Sequence, residues 1–315
     1  MPLKQETELG FTVGVCASDQ AANLPWLLRT IEGESLPSGV FLRRIVVVAS
    51  GCPQTVLSSV EAMSRADSRI LLLVESHRQG KAAAINQIIG HCKGEFLVLV
   101  NSDAMPASGS IRRLLEEISA QDDVGSVSAI PVLPKRDTLV QKVLELMWTS
   151  HNISSIALNH AGLSNHNCDE LMAVRTSLLS ELPVDVVNDG AYIGGLVYSN
   201  GYRIIFCDES EVRIDVPTRI SDLLQQRRRI LFGHAQVWKD LGMPPRTIES
   251  LFLTSPLLAI SLVGKVMASK PSLFFVFPLA VVTEVTSAAL SILDRTFSPR
   301  KHVVWKRYRE ANHVE

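Results

Sequence analysis

The 315-residue chain carries 31 Lys and Arg against 32 Asp and Glu, a formal net charge of −1. That balance gives no support for a nucleic-acid partner, which calls for a basic excess. With 20% charged residues and a mean hydropathy of +0.18, the chain is more apolar than an average soluble domain. Cys16, Cys52, Cys92, Cys168 and Cys207 are scattered and form no C-x-x-C pair, so a reducing compartment is expected. The polar, acidic opening MPLKQETELG does not read as a secretory signal, which places the bulk of the chain in the cytosol.

In chain order, Phe11 to Cys16 is a buried-strand candidate, followed by a helix from Leu24 to Ile31 with Asn23 as its N-cap. Ile45–Val48 is a second strand and Val56–Met63 a second helix. Arg69–Val74 and Lys81–Gly90 form the next pair, Phe96–Val100 and Ser110–Ile118 the fourth, and Val124–Ala129 is a fifth strand. Near-continuous Val, Ile and Leu strands separated by helices predict a mostly parallel sheet covered on both faces. Ligands of such sheets bind at the carboxyl ends of the strands. Polar clusters stand there: Ala17-Ser18-Asp19-Gln20, Ala49-Ser50-Gly51-Cys52, Ser76 to Lys81, and Asn101-Ser102-Asp103.

Further along, Asp189 to Ile193 opens a helix, Gly201 to Phe206 is a turn and strand, and Ser221–Trp238 is a long basic helix. Leu251–Ala268 and Pro271–Leu293 are apolar stretches of 18 and 23 residues. As helices they would span ~27 and ~34 Å, against a ~30 Å hydrocarbon core. Two arrangements fit: a membrane hairpin with cytosolic ends, which is preferred, or helices lying in the interface. The soluble alternative buries both stretches in protein. The segment from His151 to Asp169 is rich in Asn and His. Its H-x5-H-x-C spacing matches no standard zinc site, so it reads as a polar loop.

The chemistry-bearing residues narrow the reading. Asp103, after a buried strand, must be paired, desolvated or bound to a cation. Magnesium is commonly held by one or two carboxylates and substrate phosphates. Gly80-Lys81 opens a helix whose free N–H groups and dipole suit phosphate, although the P-loop spacing is absent.

Taken in order, these motifs resemble the family 2 glycosyltransferases from about Phe11 to about Leu241. Asp19 and Gln20 stand at the Asn and Glu positions of the first-strand turn, and Ala49 and Ser50 at the two acids of the second-strand motif. Gly80-Lys81 to Asn86 resembles the Gly-Lys-x-x-Ala-x-Asn run. Asn101-Ser102-Asp103 keeps the second acid of D-x-D, and Asn188-Asp189 matches the Glu-Asp pair. Gln226-Arg227-Arg228-Arg229-Ile230 is similar to the Q-x-x-R-W motif of cellulose- or hyaluronan-synthase-like members, with Ile230 for Trp.

The resemblance implies a GT-A-type Rossmann-like, mostly parallel sheet flanked by helices, with a C-terminal hydrophobic helical hairpin. The catalytic region would span 1–245, its nucleotide-sugar half about 1–130 and its acceptor half about 131–245. Residues 246–315 would be membrane-associated, at the cytoplasmic face. It also implies an inverting transfer from a nucleotide-sugar, a UDP-sugar favoured, to a lipid-linked or membrane-proximal glycan acceptor. Asp189 would be the general base and Asp103 the ligand of Mg2+ or Mn2+. Ala17, Asp19, Ser50, Lys81, Asn101, Ser102, Gln226 and Arg228 or Arg229 would bind the donor or line the acceptor channel. The closing His302 to Lys306 resembles the Trp-containing tail of synthase-like relatives. A nucleotidyltransferase would want a Gly-rich basic loop after the first strand, which is missing. A sugar-nucleotide-binding scaffold without turnover is the remaining alternative, given the lost acids.

Overall fold

Alternate residues of the central strands enter two separate cores, which is why the strands read as unbroken apolar runs. The structure, a computed structural model, describes residues 8–19, 21–135 and 137–304. Gln20, Trp305 and Lys306 therefore lie outside the described residues. Strands β1 (Leu9–Ala17), β2 (Val40–Ser50), β3 (Ile70–Glu75) and β4 (Phe96–Asn101) are mutually parallel, with β1 between β2 and β4. Val13, Val15, Ile45, Val47, Val98 and Val100 face one core, shared with α1 (Leu24–Glu32), α2 (Gln54–Ala66) and α4 (Ser110–Ala120). Val46, Val48, Leu97 and Leu99 face the other, shared with Ile85 and Ile88 of α3 (Lys81–Gly90).

The sheet continues through β5 (Met105–Pro106), β6 (Val124–Val132), β7 (Leu171–Arg175) and β8 (Arg203–Arg213), in the order β3-β2-β1-β4-β7-β6-β8-β5. β7 runs antiparallel to both β4 and β6, and β6 and β8 are parallel. The sheet is thus a mixed one whose parallel half carries the first four polar clusters.

Between β6 and β7 runs α5 (Leu139–His160), 22 residues long. The Asn/His-rich segment is therefore helical over its first half, not a loop. Val140, Val143, Leu144 and Met147 repeat at helical spacing on the core side. Thr138 caps the helix, its Oγ1 accepting from the Gln141 N–H at 3.1 Å. At α1 the expected cap is not made: Asn23 has helical backbone angles and no side-chain capping bond.

Helix α6 (Asp189–Ser199) begins at Asp189, with the Asn188 side chain accepting from Ala191 N–H at 3.0 Å. The basic helix is α7 (Ile220–Leu241). The first apolar stretch is not one span. It divides at Ser255 into α8 (Ile248–Thr254) and α9 (Pro256–Ser269), because Pro256 has no N–H to continue α8 and suits the first turn of α9. A 3-10 turn, Pro271–Val276, leads into α10 (Phe277–Phe297). Residues Pro271–Phe297 together are long and apolar enough to cross a membrane. Val266, Leu273, Val276 and Ala280 join the core beneath the sheet, so the C-terminal helices share packing with the strands.

Candidate active site

The carboxyl ends of β1, β2 and β4 and the start of α3 open on a cavity of about 920 Å3. Ala17, Ser50, Lys81, Asn101, Ser102, Asp103, Gln226 and Arg229 all line it. These residues are far apart in sequence, and the sheet brings them to one edge. The Ser50 hydroxyl is buried and has no hydrogen-bond partner among the described residues. Asp19 sits at the half-exposed rim, ion-paired at 3.4 Å with Arg78, which itself lines the cavity.

Lys81 is the centre of the site. It follows Gly80, whose φ of +106° is the left-handed region that glycine tolerates. The Lys81 Nζ stands 2.9 Å from Asp169 and 3.0 Å from Asp189. Burial opposes its charge, but Asp169 and Asp189 more than offset this and hold it above the usual lysine range. Asp189 is only 3% exposed. Burial raises its pKa, Lys81 lowers it and Asp169 raises it, and the net direction is upward. For Asp169 burial is outweighed by Lys81, and the net direction is downward.

Two carboxylates here were not among the residues picked out by motif. Asp169 shares Lys81, and Glu170 accepts from the Asn101 amide at 2.8 Å. Burial and Asp169 push Glu170 up to about 7. Glu170 therefore brings an acid to the place where D-x-D keeps only Asn101. The sequence signal was the acid pair after Cys168, read only as part of a loop. Its role depends on a contact across 69 positions.

Arg228 and Arg229 part company. Arg229 donates to the Val187 carbonyl at 2.9 Å and faces the cavity. Arg228 turns to α10 and forms a bidentate pair with Asp294, so it does not clamp a ligand in the cavity. Arg227 binds Glu249 of α8 at 2.7 Å and Glu284 of α10 at 3.1 Å. Asp294 also pairs with Lys301 and His302, at 3.0 and 2.8 Å. The segment after α10 is thereby drawn back over the site: a Cβ at Gly80 would lie 2.9 Å from the Val303 carbonyl.

His151, His166 and His234 also line the cavity. Among the described residues, no group of three or more His, Cys, Asp or Glu is arranged to hold a metal by itself. Burial drives His166 down to about 3 and His234 to about 4, and lowers His151 as well.

The mixed sheet flanked by helices, with its polar residues gathered at the carboxyl edge, is GT-A-like, as the structural match below shows. Residues 10–233 match the family model described as "Glycosyltransferase like family 2". The chain belongs to that family and is a glycosyltransferase. Among solved structures it resembles the mannosyltransferase PcManGT from Pyrobaculum calidifontis in complex with GDP-Man and Mn2+, with TM-score 0.65 and 20% identity over 91% of this chain and 87% of that one. It also resembles GalNAc-T7 with UDP, GalNAc and Mn2+, with TM-score 0.50 and 11% identity over 80% of this chain and 58% of that one. No curated protein matches the chain.

The buried histidines set an acid limit on stability. In an unfolded chain they titrate near 6.5, above their folded values. The stability they permit is complete above that pH and is lost as pH falls toward the folded values, because the unfolded chain then binds more protons. Thermal unfolding followed from pH 7 to about pH 5 should show a falling midpoint, and a shallower fall in His166→Phe. Equal slopes in the two proteins would contradict this assignment.

Proposed function

We propose that this glycosyltransferase moves a sugar from a nucleoside diphosphate donor to an acceptor hydroxyl with inversion at the anomeric carbon. The observation that carries the reading is the buried Asp189, paired with Lys81 at the start of α6 beside the cavity. Asp189 takes the acceptor proton as the acceptor oxygen bonds to the anomeric carbon. The bond from that carbon to the diphosphate breaks, and its electron pair leaves on the phosphate oxygen. Attack from the face opposite the leaving group gives inversion.

While Lys81 holds Asp189, it offsets part of the basicity that burial gives the carboxylate. A donor diphosphate at the α3 N-terminus gives Lys81 another anion, and releases Asp189 for the proton transfer. Arg78 and Arg229 stand on the same cavity wall to meet the remaining phosphate charge. Ala17, Asp19 and Ser50 lie at the ends of β1 and β2, where a nucleoside would rest, and Gln226 lies across from them on α7.

The oxygen donors of Asp103 and Glu170 suit a hard divalent cation, with the donor phosphates completing its shell. Both residues line the cavity, and both solved relatives named above carry Mn2+ with a nucleotide or nucleotide sugar. Bound there, Mg2+ or Mn2+ would neutralise charge developing on the leaving diphosphate. The synthase-like arginine motif favours a UDP-sugar.

Residues 1–245 would carry the catalysis and 246–315 the attachment to a membrane, on its cytoplasmic face. Thr283, Ser287, Ser291 and Asp294 of α10 are buried, on the side that meets α7. Phe275, Val281, Val282, Val285, Ile292 and Phe297 are exposed. A helix packed along α7 and the sheet core on its polar side, with its apolar side outward, lies on a bilayer rather than crossing it. This favours the interfacial arrangement over the spanning hairpin.

Two measurements test these readings. Calorimetric titration with UDP and GDP, each with and without Mn2+, should show metal-dependent binding of one nucleotide. Glu170→Gln should weaken it by ~10-fold, as loss of a metal-site group does, while Asp189→Asn keeps it and loses at least ~100-fold in transfer rate. Full transfer by Asp189→Asn would sink the mechanism. For the membrane, the protein should float with anionic lipid vesicles, and Phe274→Glu combined with Phe275→Glu should leave it in the soluble fraction. Flotation of that variant at the wild-type level would contradict the interfacial face.

A further inference from the structure

Beyond Asp189 the cavity holds a second compartment that a nucleotide donor does not need. Helix α5 supplies Trp148 and His151, the loop after it His166 and Asn167, and α7 supplies His234. The loop is pressed onto α6 by two glycines one turn apart. A Cβ at Gly190 would lie 3.0 Å from the Asn167 carbonyl, and one at Gly194 would lie 2.5 Å from the His166 Cα. That close approach sets His166 about one helical turn along α6 from Asp189.

The polar atoms here are provided for only in part. His166 is 5% exposed, and neither ring nitrogen has a hydrogen-bond partner among the described residues. Asn167 is 4% exposed. Its Oδ1 accepts from Ser126 and Ser128 at 2.8 and 3.2 Å, while its Nδ2 has no partner among the described residues. Buried polar groups are rarely left so, because each orphan costs about 1–3 kcal/mol. A neutral imidazole offers one donor and one acceptor, and the amide one more donor. Hydroxyl groups, which both donate and accept, complement that set.

Charge narrows the ligand further. Arg227 stands between Glu249 and Glu284, two carboxylates to one guanidinium. The three histidines are held neutral by burial. Of the other cations on the cavity wall, Lys81 is held by Asp169 and Asp189 and Arg78 by Asp19 at the strand ends, Arg229 is turned to Val187 and toward Asp169 and Asp189, and Arg295 lies at the exposed rim. A phosphate-bearing head would have to compete with Glu249 and Glu284 for Arg227, and an uncharged one would not. Past these groups the wall is apolar, formed by Val263, Val266 and Met267 of α9 and Phe277, Val281 and Val285 of α10. It leads to the outward apolar face of the same two helices.

We propose that this compartment is the acceptor subsite for an uncharged amphiphile, whose head hydroxyls bond to His166 and Asn167 and whose chain lies along α9 and α10. The proposal deepens the function above and rests on Asp189 acting as base toward a hydroxyl.

The probes are octyl β-glucoside below its micelle-forming concentration, octyl phosphate of equal chain length, and methyl β-glucoside. Binding is read from Trp148 and Trp238 fluorescence, with the protein held in amphipol. Saturable binding of octyl glucoside is expected, at least ~10-fold tighter than octyl phosphate and than methyl glucoside. His166→Phe, which keeps a ring and drops both nitrogens, should weaken octyl glucoside by ~10-fold with its thermal midpoint at pH 7 retained. Glu284→Gln should tighten octyl phosphate by a similar factor, and this arm does not depend on His166 packing. Equal or tighter binding of octyl phosphate by the wild type would overturn the uncharged head. Unchanged octyl glucoside binding in a folded His166→Phe would overturn the role of His166, and methyl glucoside as tight as octyl would overturn the amphiphile. Nucleotide titration of the same samples separates the two readings. Nucleotide binding without octyl glucoside binding overturns the subsite alone, and the reverse overturns the donor reading alone.

Discussion

One lysine between two carboxylates, Asp189 buried and Asp169 partly exposed, organises this molecule. Asp169 and Asp189 come from different segments, the loop before β7 and the first turn of α6. Each would be unstable as a buried charge without a cation nearby. Lys81 meets both within 3.0 Å. It sits there because Gly80 turns the chain into α3 at the mouth of the sheet. Removing Lys81 leaves two neighbouring carboxylates without their cation, whereas removing either carboxylate leaves a one-to-one pair. On the mechanism proposed above, an arriving diphosphate would compete with the carboxylates for the lysine.

The C-terminal helices are tied to this centre by charge as well as by apolar packing. Consecutive arginines on α7 point in different directions, as a helix requires. Arg227 reaches Glu249 and Glu284, Arg228 reaches Asp294, and Arg229 faces the site. Asp294 in turn gathers Lys301 and His302, whose ring packs edge-on against Phe232 at 5.0 Å. The chain after α10 thereby returns to Gly80. The helices that offer an apolar face outward thus wall the cavity inward.

Much of this was legible in the sequence because the signals are local. Gly80-Lys81 announced a helix start, and α3 spans Lys81–Gly90 as expected. Asp189 opens α6 beside its Asn188 cap. Apolar runs marked every strand of the parallel half. The contacts that complete the site were not legible, because they are made at long range. Glu170 makes up for the acid missing at Asn101 only once β4 and β7 pair. Arg228 looked like a ligand clamp until α10 placed Asp294 against it. His151 read as loop because its polar neighbours hid the apolar stripe of α5. Hydropathy marked both apolar stretches, but it does not show that Pro256 divides the first or that Thr283, Ser287 and Ser291 of the second form one buried stripe.

The account turns on Lys81 exchanging Asp189 for the donor diphosphate. A structure of the protein with UDP or GDP, whichever binds, and Mn2+ reads this directly. The prediction is that Lys81 Nζ lies within hydrogen-bond distance of a phosphate oxygen, and that Asp189 is open to the second compartment. A bound nucleotide with Lys81 still about 3 Å from Asp189, and no phosphate contact, would contradict it.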